Sequence, residues 1–211
     1  MNGIETRPPL AVDARTEALL FSQARTANTF TEEPVSDAQL AAIYDLVKWG
    51  PTSANVQPLR ILFVRSAAAK ARLLPHLWEG NRAKTQAAPV TAVLAADTNF
   101  HEWLGLTFPH RPELRDHFEQ NPELRADQAR FNATLQAGYL LIAVRAAGLA
   151  AGPMGGFDRD TLDQDLFPDG RWRSILVVNI GRPGPDAWQD RLPRLSYEEA
   201  VRHDLETVAA A

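Results

Sequence analysis

The sequence predicts an α+β domain: a small mixed central sheet surrounded by helices, one of them long and central. Two observations carry this. Three short apolar runs, residues 60–65, 90–96 and 174–180, have the length and β-branched content of strands. Between and around them, longer segments repeat their apolar residues at helical spacing, so helices outnumber strands and must pack on a limited sheet.

The elements follow in order. Residues 1–15 are polar and proline-containing and read as a loose arm, with one domain over 16–211. A first helix is expected over 16–24, ending in a turn at 25–30. In the second, Ser36 and Gln39 form a capping box, Leu40, Ile43, Tyr44 and Val47 repeat on one face, and Gly50 stops it. Ser66 caps a helix over 66–77, between the first two strands. Residues 99–122 mix Trp103, Phe108, Phe118 and three histidines with prolines and charges, and read as an insertion or lid. The long helix that follows places Phe131, Leu135, Tyr139, Ile142 and Ala146 on one stripe and small residues elsewhere, which permits close approach of another helix, so both sides are expected to be packed. Gly181 closes the last strand, and Ser196 with Glu199 makes a second capping box opening a C-terminal helix.

Composition removes several classes. A net charge of -4 provides no basic field for nucleic acid or an anionic membrane, so any anion must be met locally. With Cys 0, disulfides and thiolate metal sites are excluded, which suits a cytoplasmic protein. The most apolar stretch, 133–151, is interrupted by Gln136 and Arg145 and is too polar to span a bilayer. No Gly-x-Gly-x-x-Gly turn follows an early strand, against a Rossmann dehydrogenase, and Gly105 stands where a His101-Glu102 zinc helix would need its second histidine.

Four separated patches have the residue types of a flavin mononucleotide site. Arg25, Thr26 and Asn28 offer a guanidinium and a polar turn to a phosphate. Pro51, Thr52, Ser53 and Asn55, with Gln57, offer donors and acceptors matching an alternating carbonyl and N–H edge. Asn81 can meet a ring carbonyl while Lys84 sets positive charge beside the ring edge that becomes negative on reduction. Pro153, Met154, Gly155 and Gly156 provide small residues whose backbone can approach a flat ring. Arg191 and Arg194 add a second cation for a dianion. Each patch alone also fits an ordinary turn or a solvated surface; their conjunction points to the cofactor.

In that order the patches resemble the FMN-dependent nitroreductase family over roughly residues 21–199. The similarity is greatest to its malonic semialdehyde reductase branch, also known as 3-hydroxypropionate dehydrogenase, of pyrimidine degradation. The marks are residues 24–28, 48–55, 88–91, 152–158 and 191–196. The resemblance implies a nitroreductase-like fold, an intertwined homodimer, FMN as cofactor and NADH or NADPH as electron donor. It implies that the turn 25–28 and Arg191 serve the phosphate, Asn81 and Lys84 the ring, and Gly155 and Gly156 its reactive N5. Pro51, Thr52, Ser53 and Asn55 would reach the flavin of the partner subunit. Only Arg25 remains of a basic cluster that many relatives carry at 24, 25 and 28, so Arg191, Arg194 or backbone would share the phosphate. The branch implies reduction of malonic semialdehyde to 3-hydroxypropionate, with Arg82 or Arg111 as candidates to hold its carboxylate. A nitroaromatic or quinone reductase and a non-catalytic flavin-binding sensor are the competing readings.

Overall fold

The computed structural model describes residues 10–203; the first nine residues of the expected arm and the alanine-rich tail lie outside them. The rest of the arm joins the first helix. Asp13 accepts from the Thr16 N–H and opens α1 (Ala14–Glu17), which continues as a π-helical turn over Ala18–Ser22. The expected capping box is present at α2 (Asp37–Val47), with both Ser36 and Gln39 engaged. β1 (Leu59–Val64) leads into α3 (Ala67–Leu73) and a 3-10 turn, Leu74–His76, so this helix is shorter than expected because Pro75 interrupts it. α4 (Glu79–Ala87) and β2 (Val90–Asp97) follow.

Residues 99–122 are more regular than their composition suggests. A 3-10 turn, Phe100–Trp103, passes into α5 (Leu104–Thr107) and α6 (Glu113–Gln120). Phe100, Leu104 and Phe118 are buried in the main core, and the rings of Phe100 and Phe118 meet edge to face at 5.0 Å. His101 is buried against Glu119 at 2.5 Å, with Arg125 at 3.2 Å, and this bond holds the Glu119 carboxyl below the usual range.

The 25-residue helix α7 (Pro122–Ala146) begins with proline in its first turn, where a missing N–H costs nothing. Within one chain only one of its sides is packed, not both as expected. Phe131, Leu135 and Tyr139 are exposed at 59%, 43% and 43%, and the buried face is Ala129, Asn132, Ala133, Gln136, Ala137, Leu140, Ala143 and Val144. Small side chains let α7 approach the sheet and α2 closely, and the bulkier apolar residues are left outside.

The chain then forms β3 (Ala150–Met154), α8 (Arg159–Leu166), β4 (Trp172–Gly181) and the short α9 (Tyr197–Ala200), whose capping box is the expected one. The sheet order is β1-β2-β4-β3, and every pairing is antiparallel rather than mixed. The reason lies in the turn between α3 and α4, which returns the chain so that Thr91 pairs with Val64 and β2 starts where β1 stops. β3 was expected as a glycine-rich loop. Its Gly152 and Pro153 depress strand propensity, and Pro153 is tolerated because β3 is an edge, paired only with β4.

Two buried polar residues fix α7. Asn132 Oδ1 accepts from the Ser53 N–H at 2.8 Å, and Gln136 Oε1 accepts from the Leu59 N–H at 3.0 Å. Gln136→Leu leaves the Leu59 N–H buried without an acceptor. We expect a loss of about 1–3 kcal/mol, read as a lower urea midpoint with an unchanged denaturant slope.

Candidate functional site

β3 organises the site. At its start the Ala27 N–H donates to the Ala151 carbonyl at 3.1 Å, docking the turn 25–28 on the sheet edge. Gly152 permits this approach, since a Cβ there would lie 2.7 Å from the Ala27 carbonyl oxygen. The Asn28 N–H donates to the Ala187 carbonyl at 3.0 Å, and Arg25 Nη1 donates to the Gln189 carbonyl at 3.1 Å, drawing in the C-terminal segment. Arg191 reaches back to the carbonyls of Ser22 and, at 3.1 Å, Ala24. Arg25, Thr26, Asn28, Arg191 and Arg194 therefore line one pocket of about 190 Å³, together with Asp190. Each guanidinium has five N–H donors, and those turned to backbone carbonyls leave others for an anion.

At the other end of β3 the ring-side candidates meet. Asn81 Nδ2 donates to the Gly156 carbonyl at 2.9 Å, and the Trp78 N–H donates to the same oxygen at 3.0 Å. Asn81 and Lys84 sit three residues apart on α4 and so share its face. Lys84 is half-buried and has no hydrogen-bond or ion-pair partner among the described residues. Met154 is buried, Pro153 and Gly156 are half-buried and Gly155 is exposed.

Two internal devices hold α4 there. Asn179 Nδ2 donates to Thr85 Oγ1 at 3.1 Å while its Oδ1 accepts from Thr91 Oγ1 at 2.8 Å, and all three residues are fully buried. At the helix C-terminus, Lys70 Nζ donates to the carbonyls of Gln86, at 3.0 Å, and Ala88. Burial pushes the Lys70 ammonium below the usual lysine range, while the exposed carbonyl dipoles favour its charge.

The remaining patch lies apart. Pro51, Thr52, Ser53 and Asn55 precede β1, at the opposite edge of the sheet from β3. Three strand spacings, about 14 Å, separate those edges. The loop is strained, with Ala54, Asn55 and Gln57 at φ 46°, 48° and 41°; each left-handed non-glycine residue costs about 1–2 kcal/mol. Asn55 Nδ2 donates to the Thr107 carbonyl at 2.7 Å, and Gln57 Nε2 donates to Asn55 Oδ1 at 2.8 Å. The Gln57 N–H donates to Thr52 Oγ1 at 3.2 Å.

Arg82 and Arg111, the candidate carboxylate holders, each have partners within the chain. Arg82 donates to the Leu77 and Pro75 carbonyls, at 2.8 and 3.3 Å, and Arg111 pairs with Glu113. Trp78 and Gln189 are contributors that the sequence did not reveal. Their contacts are backbone ones across long separations and leave no pattern. Among the described residues no group of three His, Asp or Glu could hold a metal ion, and no helix is long and apolar enough to cross a membrane.

Residues 22–182 match the profile described as Nitroreductase family. A Streptomyces coelicolor protein provisionally named NADH dehydrogenase/NAD(P)H nitroreductase is 54% identical over 191 residues, spanning 90% of this chain and 94% of its own. A Rhodopseudomonas palustris protein of the same provisional name is 50% identical, over 87% and 93% of the two chains. Among solved structures, a provisionally named nitroreductase from Exiguobacterium sibiricum, in complex with FMN, superposes with a TM-score of 0.77. It is 19% identical, covering 92% of this chain and 99% of that one.

The contact between Gly156 and α4 yields a test. A Cβ on Gly156 would fall 2.7 Å from Asn81 Nδ2 and 2.9 Å from the Trp78 ring, whereas one on Gly155 meets nothing within 4 Å. Gly156→Ala should cost about 1–3 kcal/mol, and Gly155→Ala should stay within about 0.5 kcal/mol of the parent. Paired chemical denaturation curves measure both.

Proposed function

The chain belongs to the nitroreductase family, and on that premise we propose that it is an FMN-dependent NAD(P)H oxidoreductase working in the cytoplasm as a homodimer. One observation carries the reading: a guanidinium-lined pocket and an Asn81, Lys84 and Gly156 cluster stand at the two ends of one five-residue strand. The residues fit the group. The pocket is of phosphate size and rich in donors, and Gly155 is exposed, with open space where a Cβ would stand, which leaves backbone accessible to a flat ring. The relatives' names and the FMN held by the Exiguobacterium protein support the same cofactor and donor.

When bound, FMN supplies two-electron chemistry, accepting hydride from NADH or NADPH and passing it to an acceptor that takes the nicotinamide's place. The protein's part is to bind, orient and tune. Arg25 and Arg191, assisted by Thr26, Asn28 and Arg194, hold the phosphate. Asn81 orients the ring, its amide set by the Gly156 carbonyl. The unpaired Lys84 ammonium favours negative charge on the reduced ring, while Pro153, Met154, Gly155 and Gly156 form the floor beside N5. Pro51, Thr52, Ser53 and Asn55 complete the site of the partner subunit. The exposed Phe131, Leu135 and Tyr139 on α7 supply an apolar face for that association.

For the acceptor, the relatives' names favour nitro compounds, and quinones join them because an open flavin face discriminates poorly between flat acceptors. Malonic semialdehyde, reduced to 3-hydroxypropionate, is the second reading, and rests on the branch resemblance at residues 24–28, 48–55, 88–91, 152–158 and 191–196. Arg111 is paired with Glu113, whereas Arg82, which donates to two backbone carbonyls, keeps further N–H donors for the semialdehyde's carboxylate.

Purified protein should be yellow and release FMN on acid treatment; recovery of FAD, or no uptake of FMN, overturns the cofactor assignment. Arg25→Ala should weaken FMN binding by roughly ten- to a hundredfold, the loss of a charge-assisted bond. Lys84→Ala should instead lower the flavin reduction potential and slow reduction by NAD(P)H, and an unchanged potential removes Lys84 from the chemistry. For the acceptor, kcat/KM is compared for a nitroaromatic, a quinone and malonic semialdehyde. Efficient nitro or quinone reduction without semialdehyde turnover excludes the second reading.

A further inference from the structure

A buried charge cluster stands behind the strained loop 51–57, and no step of the chemistry above uses it. Asp97 ends β2 and is 1% exposed. Its carboxylate accepts from Arg60 Nη2 at 2.6 Å, from Arg171 Nε and Nη2 at 2.9 and 3.1 Å, and from the Asn99 N–H at 2.9 Å. Both cations have second tasks. Arg60 Nη1 donates to the carbonyls of Gln57, at 3.0 Å, and Leu59, at 2.9 Å, so the same guanidinium that meets Asp97 holds the left-handed residue at the loop's exit. Arg171 Nη1 pairs with Glu102 at 3.0 Å, inside segment 99–122, and the Arg171 carbonyl accepts from the Thr98 N–H and hydroxyl at 2.9 Å.

The loop and the segment also touch directly, through Asn55 Nδ2 and the Thr107 carbonyl. One buried carboxylate is thus the common partner of a cation that fixes Gln57 and of a cation and an N–H that fix the start of 99–122. A buried ion pair is a weak source of net stability, because desolvation offsets most of its attraction. Its value lies in fixing a geometry. The planar arginine fork suits that task, since it serves Asp97 and two carbonyls at once where an ammonium would be a point charge.

We propose that Asp97 is a positioning residue: through Arg60 it sets the backbone of Gln57, and through Arg171 and Asn99 it locks loop 51–57 and segment 99–122 into one unit. The functional consequence rests on the reading that loop 51–57 faces a flavin. Segment 99–122 then governs the shape of a site to which it need contribute no contact.

The test compares the FMN-loaded parent with Asp97→Asn and Arg60→Lys by hydrogen exchange, thermal unfolding and steady-state reduction of 1,4-benzoquinone. In Asp97→Asn, amide exchange should rise at least tenfold in 53–57 and in 100–107 together, and KM for the quinone should rise several-fold more than kcat falls. Arg60→Lys retains the charge but not the fork, so it should reproduce the exchange and KM changes at 53–57 while its unfolding midpoint stays near the parent's. Restoration of parental exchange and KM by Arg60→Lys would show an ion pair that only stabilises the fold, and overturn the proposal. A rise confined to one segment in Asp97→Asn would overturn the coupling. Should Asp97→Asn not fold, Arg60→Lys decides alone. A protein that takes up no FMN defeats the flavin reading, while the exchange data still decide the positioning.

Discussion

The order of the sheet constrains everything else in this protein. With β1 and β3 at opposite edges, the loop entering β1 and the strand bearing the phosphate and ring candidates are held about 14 Å apart by the two strands between them. Antiparallel register adds a direction. Leu59 lies level with Ala96 and Arg173 near the start of β4, whereas β3 pairs with residues 177–181 at its end, so the two segments lie toward opposite ends of the sheet as well as on different margins. A cofactor seated along β3 meets the turn 25–28, α4 and the glycines from one chain. The polar loop 51–57 of that chain faces elsewhere, which is the geometry expected when two copies exchange loops.

The central helix answers the same constraint. α7 must lie against the sheet and α2, and it does so through alanines and two buried carboxamides that accept the N–H groups of Ser53 and Leu59. Those bonds set both where β1 begins and how the loop before it is held. The small inner face turns Phe131, Leu135 and Tyr139 outward, so close packing within the chain and an exposed apolar surface arise from one choice of helix rotation.

How much could be read from the sequence depended on the range of the interactions. The capping boxes at Ser36 and Ser196 and the three apolar strands were legible because they are local patterns. β3 was not, since its strand character comes from pairing with β4 and overrides the poor propensity of Gly152 and Pro153. The α7 helix was expected to be packed on both sides because periodicity reports an apolar stripe without saying what covers it, and within one chain that stripe is left exposed. Arg25 and Arg191 were legible as separate basic patches and share a pocket as a conjunction of patches would require. The Asp97 cluster was invisible, as its partners Arg60 and Arg171 lie 37 and 74 residues away.

The site proposed above, divided between two sheet margins, would make cofactor retention depend on association, and light scattering with in-line flavin absorbance across a dilution series tests this most directly. A shared site gives a two-chain particle carrying two FMN, with flavin lost in step with dissociation on dilution. A monomer that keeps one FMN per chain with undiminished affinity would contradict it.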